Sequence, residues 1–289
     1  MQPCCLLVKL AVLLVVFERD LAAVPAWPRL MESKAAQMGA GVGWESLIVY
    51  DNSPTPRATL ARDVPGCLYV HDASNGGTAA ACSVAAKLAC ESGVDWLLML
   101  DHDTALPVNF FQQLARAEAE AASFPVAAFV PWVTDRGNVL SPAEVSATGS
   151  IRPLSRTPAG GLPPLTAIAS GCVLRVSVLA SLMPLPTGLW LDYVDHWIFA
   201  KIRAQHGDVR IVDTTLEHDL SIAHPESLSK RRLFSVLDGE ARFVASLGWQ
   251  ARWAHPFRLA RRLARYLLVR PRLATWMAGW LVSRRRVAP

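Results

Sequence analysis

Short apolar runs recur along the first half of the chain with little polar alternation: Leu10–Phe17, Leu47–Tyr50, Leu68–Val70, Trp96–Leu100 and Val126–Val130. A strand that is apolar at successive positions has both faces covered, as in a buried parallel sheet. Between several of these runs lie stretches that read as helices, among them Ala79–Ser92 and Phe110–Ala122. Strands alternating with helices predict an α/β fold, Rossmann-like, with a mostly parallel central sheet and helices on both faces. Two of the runs end in acidic residues, in "YDNS" (Tyr50–Ser53) and "DHD" (Asp101–Asp103). In sheets of this kind ligands bind beyond the carboxyl ends of the strands. Both acidic tips are therefore expected at one edge.

The pattern changes further along. Thr134–Pro164 is rich in Gly, Pro, Ser and Thr and reads as one long loop. "GLWLDYVDHWIFAKIRAQHG" reads as a loop feeding a helix, and Val209–Val212 as a short strand. In Pro256–Arg270, Phe257, Ala260, Ala264, Leu267 and Leu268 share one helical face, and Arg258, Arg262 and Arg265 share another. Pro271 breaks that helix.

Charge sharpens the division. The net charge of the 289 residues is +5, yet no acidic residue follows Glu240 and eleven arginines lie beyond it. Such a tail meets something anionic. One reading is a helix lying in the interface of an anionic membrane; the other is a helix packed on the body with its basic face in solvent. No recognition motif accompanies the arginines, so nucleic acid is not an expected partner. The six cysteines show no metal-ligand spacing and read as reduced thiols. The run from Leu10 to Phe17 is too short to cross a bilayer and suits a buried strand better than a signal peptide. These features together predict a cytoplasmic protein, peripheral at the inner face of the cell membrane.

Two carboxylates at a strand end can hold a hard divalent cation that bridges substrate phosphates. Solvated loop aspartates, or a cap for the next helix, explain the same triplet. What separates these readings is a set of seven segments: "LLVVFERD", "LIVYDNSP", "HDASNGGTAAACSVAAKLACESGVDWLLMLDHDT", "FVPWVTDRGNVLSP", "IASGCVLR", "LWLDYVDHWIFAKI" and "LEHDLS". In content and order they resemble the family 2 glycosyltransferases of GT-A fold, and most closely the bacterial rhamnosyltransferase-like members. The resemblance covers residues from about 8 to 225. It implies a GT-A domain over residues 1–225, followed by a helical, Arg-rich extension over 226–289.

The roles that follow are those the resemblance implies. Asp51 contacts the nucleotide base, Asn75 and Gly76 form the turn beside the nucleotide, and Asp101 faces the ribose and the metal. Asp103 and His218 ligate a divalent metal, Mn²⁺ or Mg²⁺. Ser170 and Gly171 lie beside the donor sugar and acceptor. Asp195 is the catalytic base, and Asp192 supports the site. The implied activity is an inverting hexosyl transfer from a nucleoside-diphosphate sugar, with dTDP-rhamnose one candidate, to a glycan or lipid-linked acceptor in bacterial surface polysaccharide synthesis. Residue chemistry agrees, since inversion needs one carboxylate to deprotonate the acceptor and a cation on the leaving diphosphate. Asp192 and Asp195 also fit a helix start on electrostatic grounds alone. Two departures stand out: Phe17-Glu18-Arg19 replaces the usual Tyr-Asn, and Lys201 replaces the usual arginine. A sugar-phosphate nucleotidyltransferase would need a glycine-rich basic loop after the first strand, which "FERDLAAVP" lacks. The alternative is a catalytically inactive homologue serving as a membrane-associated scaffold.

Overall fold

The computed structural model describes residues 9–37, 43–121, 125–155, 164–218 and 228–285. Four parallel strands form the heart of the main sheet: β1 (Leu10–Val16), β2 (Ser46–Asp51), β3 (Cys67–His71) and β4 (Trp96–Asp101), in the order β3-β2-β1-β4. Every residue of β1 is buried, because the strand has helices on both sides. Ala11, Leu13 and Val15 face one layer, packing with Ala81 and Ala85 of α2 (Gly77–Glu91), Leu179 of α4 (Val176–Ser181) and Ile198 of α5 (Val194–Ala204). Leu10, Val12, Leu14 and Val16 face the other, with Leu30 of α1 (Trp27–Gln37) and Phe110 and Leu114 of α3 (Phe110–Glu120). The period-two alternation of a strand thus divides one uniform apolar run between two cores.

Beyond β4 the sheet continues through β11 (Val173–Arg175), antiparallel to its neighbours, then β6 (Val126–Asp135), β12 (Asp208–His218) and the two-residue β5 (Thr104–Ala105). The expectation of a mostly parallel sheet covered on both faces holds. The long-loop reading of Thr134–Pro164 does not. β6 turns at Arg136-Gly137 into β7 (Asn138–Ser141), and β8 (Ala143–Val145) pairs with β9 (Ile151–Pro153) and β10 (Leu165–Thr166) in a separate three-stranded sheet. These strands are only two to four residues long, and the partner of Ala143 is Thr166. Composition reports the turns between them and not the distant pairing. Residues 156–163 of that stretch lie outside the described set. The strand expected at Val209–Val212 runs on to His218 alongside β6, past an irregularity between Val212 and Thr215.

Three helices end the chain: α6 (Lys230–Ala245), α7 (Trp249–Val269) and α8 (Pro271–Arg285). Pro271 interrupts as expected and starts α8, where its missing N–H costs nothing. Leu233 and Leu237 of α6 pack with Leu259, Leu273, Met277 and Trp280 of α7 and α8. On its other side α6 meets the sheet domain, where Phe243 and Val244 join Ala200 and Val145. Gly239 is required at this junction, since a Cβ there would run into the Asp192 carbonyl. Arg258 and Arg262, expected in solvent if the helix packed on the body, point inward to Glu240. Of the described cysteines, Cys82 and Cys172 are buried, Cys67 is half-buried and Cys90 is exposed; all four are free thiols.

Candidate functional site

Strand register sets the acidic tips side by side. Within β1, Val16 pairs with Asp51 and Val15 with Asp101, so both aspartates reach the same edge. A cavity of about 600 Å³ opens there, lined by Asn75, Asp101, Asp103, Ser170, Asp192 and Asp195 among others.

The carboxylates converge because two consecutive residues hold them. The Ser170 hydroxyl donates to Asp101 Oδ2 at 2.7 Å, and the Ala169 N–H donates to Asp195 Oδ2 at 3.0 Å. Asp195 Oδ1 also accepts from His196 N–H at 2.7 Å. Asp195 stands in the first turn of α5, after Tyr193 takes a left-handed backbone (φ 64°). The next residue on the holding turn, Gly171, has φ +80°, and a Cβ there would meet Leu216 and Pro131. Its N–H donates to the Met99 carbonyl of β4, which ties the turn to the sheet. Beneath lies Cys172, whose thiol is pushed well up by burial first and by the charges of Asp195 and Asp101 next.

A second turn closes the opposite wall. Asn75 adopts φ 53° and Gly77 φ +74°, and at Gly77 any side chain would strike Trp190. The Asp72 carboxylate organises this turn by accepting from Gly76 N–H (2.8 Å), Ser74 N–H (3.0 Å) and the Tyr50 hydroxyl (2.9 Å). Hydrogen bonds from Ser74 above all hold its carboxyl below the ordinary value, against the upward push of burial. Asn52 accepts from Gly77 N–H at 3.1 Å, and Trp190 Nε1 donates to the Asn75 carbonyl at 2.7 Å. Asn75 and Gly77 line the cavity, whereas Gly76 shapes the turn.

Asp51 sits apart from the cavity lining and is completely buried. Its oxygens accept from Ser53, Arg57 and Ala58 N–H and from the Tyr69 hydroxyl, at 2.7–3.0 Å. Burial pushes this carboxyl up, but the donated hydrogen bonds outweigh it and hold the value at about 2. The carboxylate therefore shapes the loop after β2 and brings Asn52 to the cavity. Asp51→Asn is expected to cost about 2–3 kcal/mol, because an amide NH₂ would face N–H donors. Since the folded-state value lies below the unfolded one, the unfolded chain takes up this proton first. The contribution is present in full above about pH 4 and is lost as pH falls toward about 2. Urea titrations at pH 7 and pH 3 check this: the gap between wild type and variant should narrow at the lower pH.

Asp192 is 8% exposed and takes Arg232 at 2.9 Å and the Ser235 hydroxyl at 2.8 Å, both from α6. Burial raises its carboxyl against the pull of Arg232. Ser229 and Arg232 themselves line the cavity, so the start of α6 is part of its wall. Trp190 and Tyr193 line it as well, while Trp197 belongs to the core. His102 and His196 also face the cavity, and His196 Nδ1 lies 2.8 Å from Thr166 Oγ1.

His218 pairs through its backbone with Thr104, one residue past Asp103, so β12 and β5 bring it beside the acidic tip. Its side chain lies outside the described residues. Among the described residues no three His, Cys, Asp or Glu side chains cluster as a metal site. Asp101 and Asp103 nonetheless supply the hard oxygen donors, within one cavity, that suit a cation completed by substrate phosphates and water.

Asn52, Asp72 and Arg232 were not foreseen from the sequence. The pattern "HDASNGG" carries an Asx-turn signal at Asp72 that could have been read. Nothing local marks Arg232, whose place depends on α6 packing back over the 192–193 turn.

The curled sheet, its crossing strand and the acidic edge make this a GT-A fold. No protein-family model and no curated protein matches the chain. Solved structures do. GalNAc-T7 with UDP, GalNAc and Mn²⁺ is similar at a TM-score of 0.51 and 15% identity, over 73% of this chain and 43% of that one. S. aureus TarS 1-349 in complex with UDP-GlcNAc is similar at 0.54 and 11%, over 84% and 68%. The longer S. aureus TarS structure gives 0.51 and 13%, over 82% and 42%. The chain thus spans less than half of GalNAc-T7 and of the longer TarS. At these identities the likeness establishes the fold.

Proposed function

We propose that the protein is an inverting, metal-dependent glycosyltransferase that moves a sugar from a nucleoside-diphosphate donor to a glycan or lipid-linked acceptor. The observation that carries this is the tethering of Asp101 and Asp195 to neighbouring residues, Ser170 and Ala169, at one cavity. It supports a site with a phosphate-side carboxylate and a base facing the same reacting centre. The solved UDP, UDP-GlcNAc and Mn²⁺ complexes on this fold support the same donor class.

In this reading Asp195 takes the proton of the acceptor hydroxyl as its oxygen attacks the anomeric carbon. The bond from that carbon to the diphosphate breaks on the opposite side, and the nucleoside diphosphate leaves with the electron pair. Asp103 and His218 would hold Mn²⁺ or Mg²⁺ with Asp101 facing the ribose and the metal, and the cation would supply Lewis-acid stabilisation of the leaving diphosphate. Asn75, Gly76 and Gly77 let the nucleotide approach the start of α2, with Asp51 holding the neighbouring loop. Ser170 and Gly171 border the donor sugar, and Asp192 with Arg232 braces the turn that carries the base. A donor such as dTDP-rhamnose, an acceptor of bacterial surface polysaccharide, and work at the inner face of the cell membrane complete the reading.

Thermal shifts with UDP, dTDP, GDP and CMP, each with and without Mn²⁺, test it. One nucleoside diphosphate is expected to raise the midpoint by a few degrees when present at about a hundred times its dissociation constant. That rise should need the metal and should vanish in Asp101→Ala and Asp103→Ala. No shift with any nucleotide would leave the inactive scaffold as the better reading.

A further inference from the structure

Helix α7 turns part of its charge inward and its large aromatic residues outward. Arg258, Arg262 and His255 face α6, where the 5%-exposed Glu240 takes Arg262 at 2.6 Å and Arg258 at 3.9 Å. On the opposite side Trp249, Trp253, Phe257, Leu267 and Leu268 are 63–85% exposed. At 100° per residue these five fall in one stripe about 100° wide. The orientation is fixed by the fold, since turning the stripe inward would pull two guanidinium groups off a buried carboxylate. The apolar face is therefore a built surface of the protein.

From this we infer that the outward stripe of α7 docks in the headgroup interface of an anionic lipid bilayer, with the helix lying in the membrane plane. Charge selects this occupant. Arg252, Arg261 and Arg265 are exposed on the flanks of the stripe, and the chain beyond Glu240 holds no acid to offset them. Apolar residues with tryptophan at the centre and arginine at the sides match an interface of acyl chains under anionic headgroups. A second copy of this chain would bring the same arginines to the same place, and the two would repel. None of the described helices is long and apolar enough to cross a membrane, so the contact lies along the surface. This inference stands on the tail alone and does not depend on the reading of the cavity.

The test is cosedimentation of the full chain with vesicles of phosphatidylcholine alone and of phosphatidylcholine with phosphatidylglycerol. Binding is expected to the anionic vesicles and to weaken with salt. The triple variant Trp253→Ser, Phe257→Ser, Leu268→Ser should reduce it at least about tenfold. Arg261→Gln with Arg265→Gln should reduce it and flatten its salt dependence. All the altered side chains are exposed, so the melting midpoint serves as the folding control. The inference is overturned if the wild type stays in the supernatant with anionic vesicles, or if the triple variant binds as well as wild type. It is equally overturned if light scattering shows a wild-type dimer that ignores vesicles and becomes monomeric in the triple variant. Nucleotide-induced shifts measured on the same preparations report on the cavity separately.

Discussion

Asp195→Asn is expected to lower glycosyl transfer by about a thousandfold, within the roughly 10²- to 10⁴-fold reach of a positioned general base, while nucleoside-diphosphate binding is retained. The side chain keeps its size and one oxygen, so α5 still starts at the same turn. What it loses is the second oxygen, one of the two that accept from Ala169 and His196 N–H, and any capacity to take a proton. The link that orients Asp101 runs through the Ser170 hydroxyl and is untouched. Calorimetry of donor binding beside turnover separates the two effects. Asp192→Asn should behave differently, because that side chain is bound to Arg232 and Ser235 and braces the wall; it should weaken donor binding and turnover together. Comparable transfer by Asp195→Asn would remove Asp195 as the base.

The largest effect on stability is expected at Glu240. Glu240→Ala leaves Arg258 and Arg262 against α6 without their shared carboxylate. Burial lowers the pKa of His255, with Glu240 pulling the other way, so the arginines and not this histidine supply the balancing charge. Removing one partner of a buried ion pair costs about 3–5 kcal/mol. The guanidinium side chains here are 19% and 28% exposed, so water softens the loss to about 2–4 kcal/mol. That is a large share of the roughly 5–15 kcal/mol that holds a typical domain. Urea unfolding should show a lower midpoint, with Glu240→Gln falling between variant and wild type. A loss below about 1 kcal/mol would mean the pair behaves as a solvated surface contact.

Much of the architecture was legible from the chain alone. Five apolar runs became β1, β2, β3, β4 and the start of β6, and the two acidic tips came to one edge, because burial on both faces and an abrupt polar end are local signals. The Thr134–Pro164 region was misread for the opposite reason: strands of two to four residues leave almost no period, and their pairing is decided by partners such as Ala143 and Thr166. The tail shows both sides in one helix. Spacing separated Phe257, Leu267 and Leu268 from Arg258 and Arg262, but it grouped the exposed Arg265 with the latter pair and could not say which face would be inside.

The sequence by itself determined where carboxylates stand at strand ends and which residues share a helical face, since both follow from backbone period and the cost of burying charge. Tertiary structure alone decided that Ala169 and Ser170 would each hold one of two aspartates 94 positions apart, that α6 would bring Arg232 to the cavity, and that Glu240 would draw Arg258 and Arg262 inward. Those outcomes depend on hydrogen bonds and ion pairs between segments with no local record of each other, formed only once the sheet has set its edges in place.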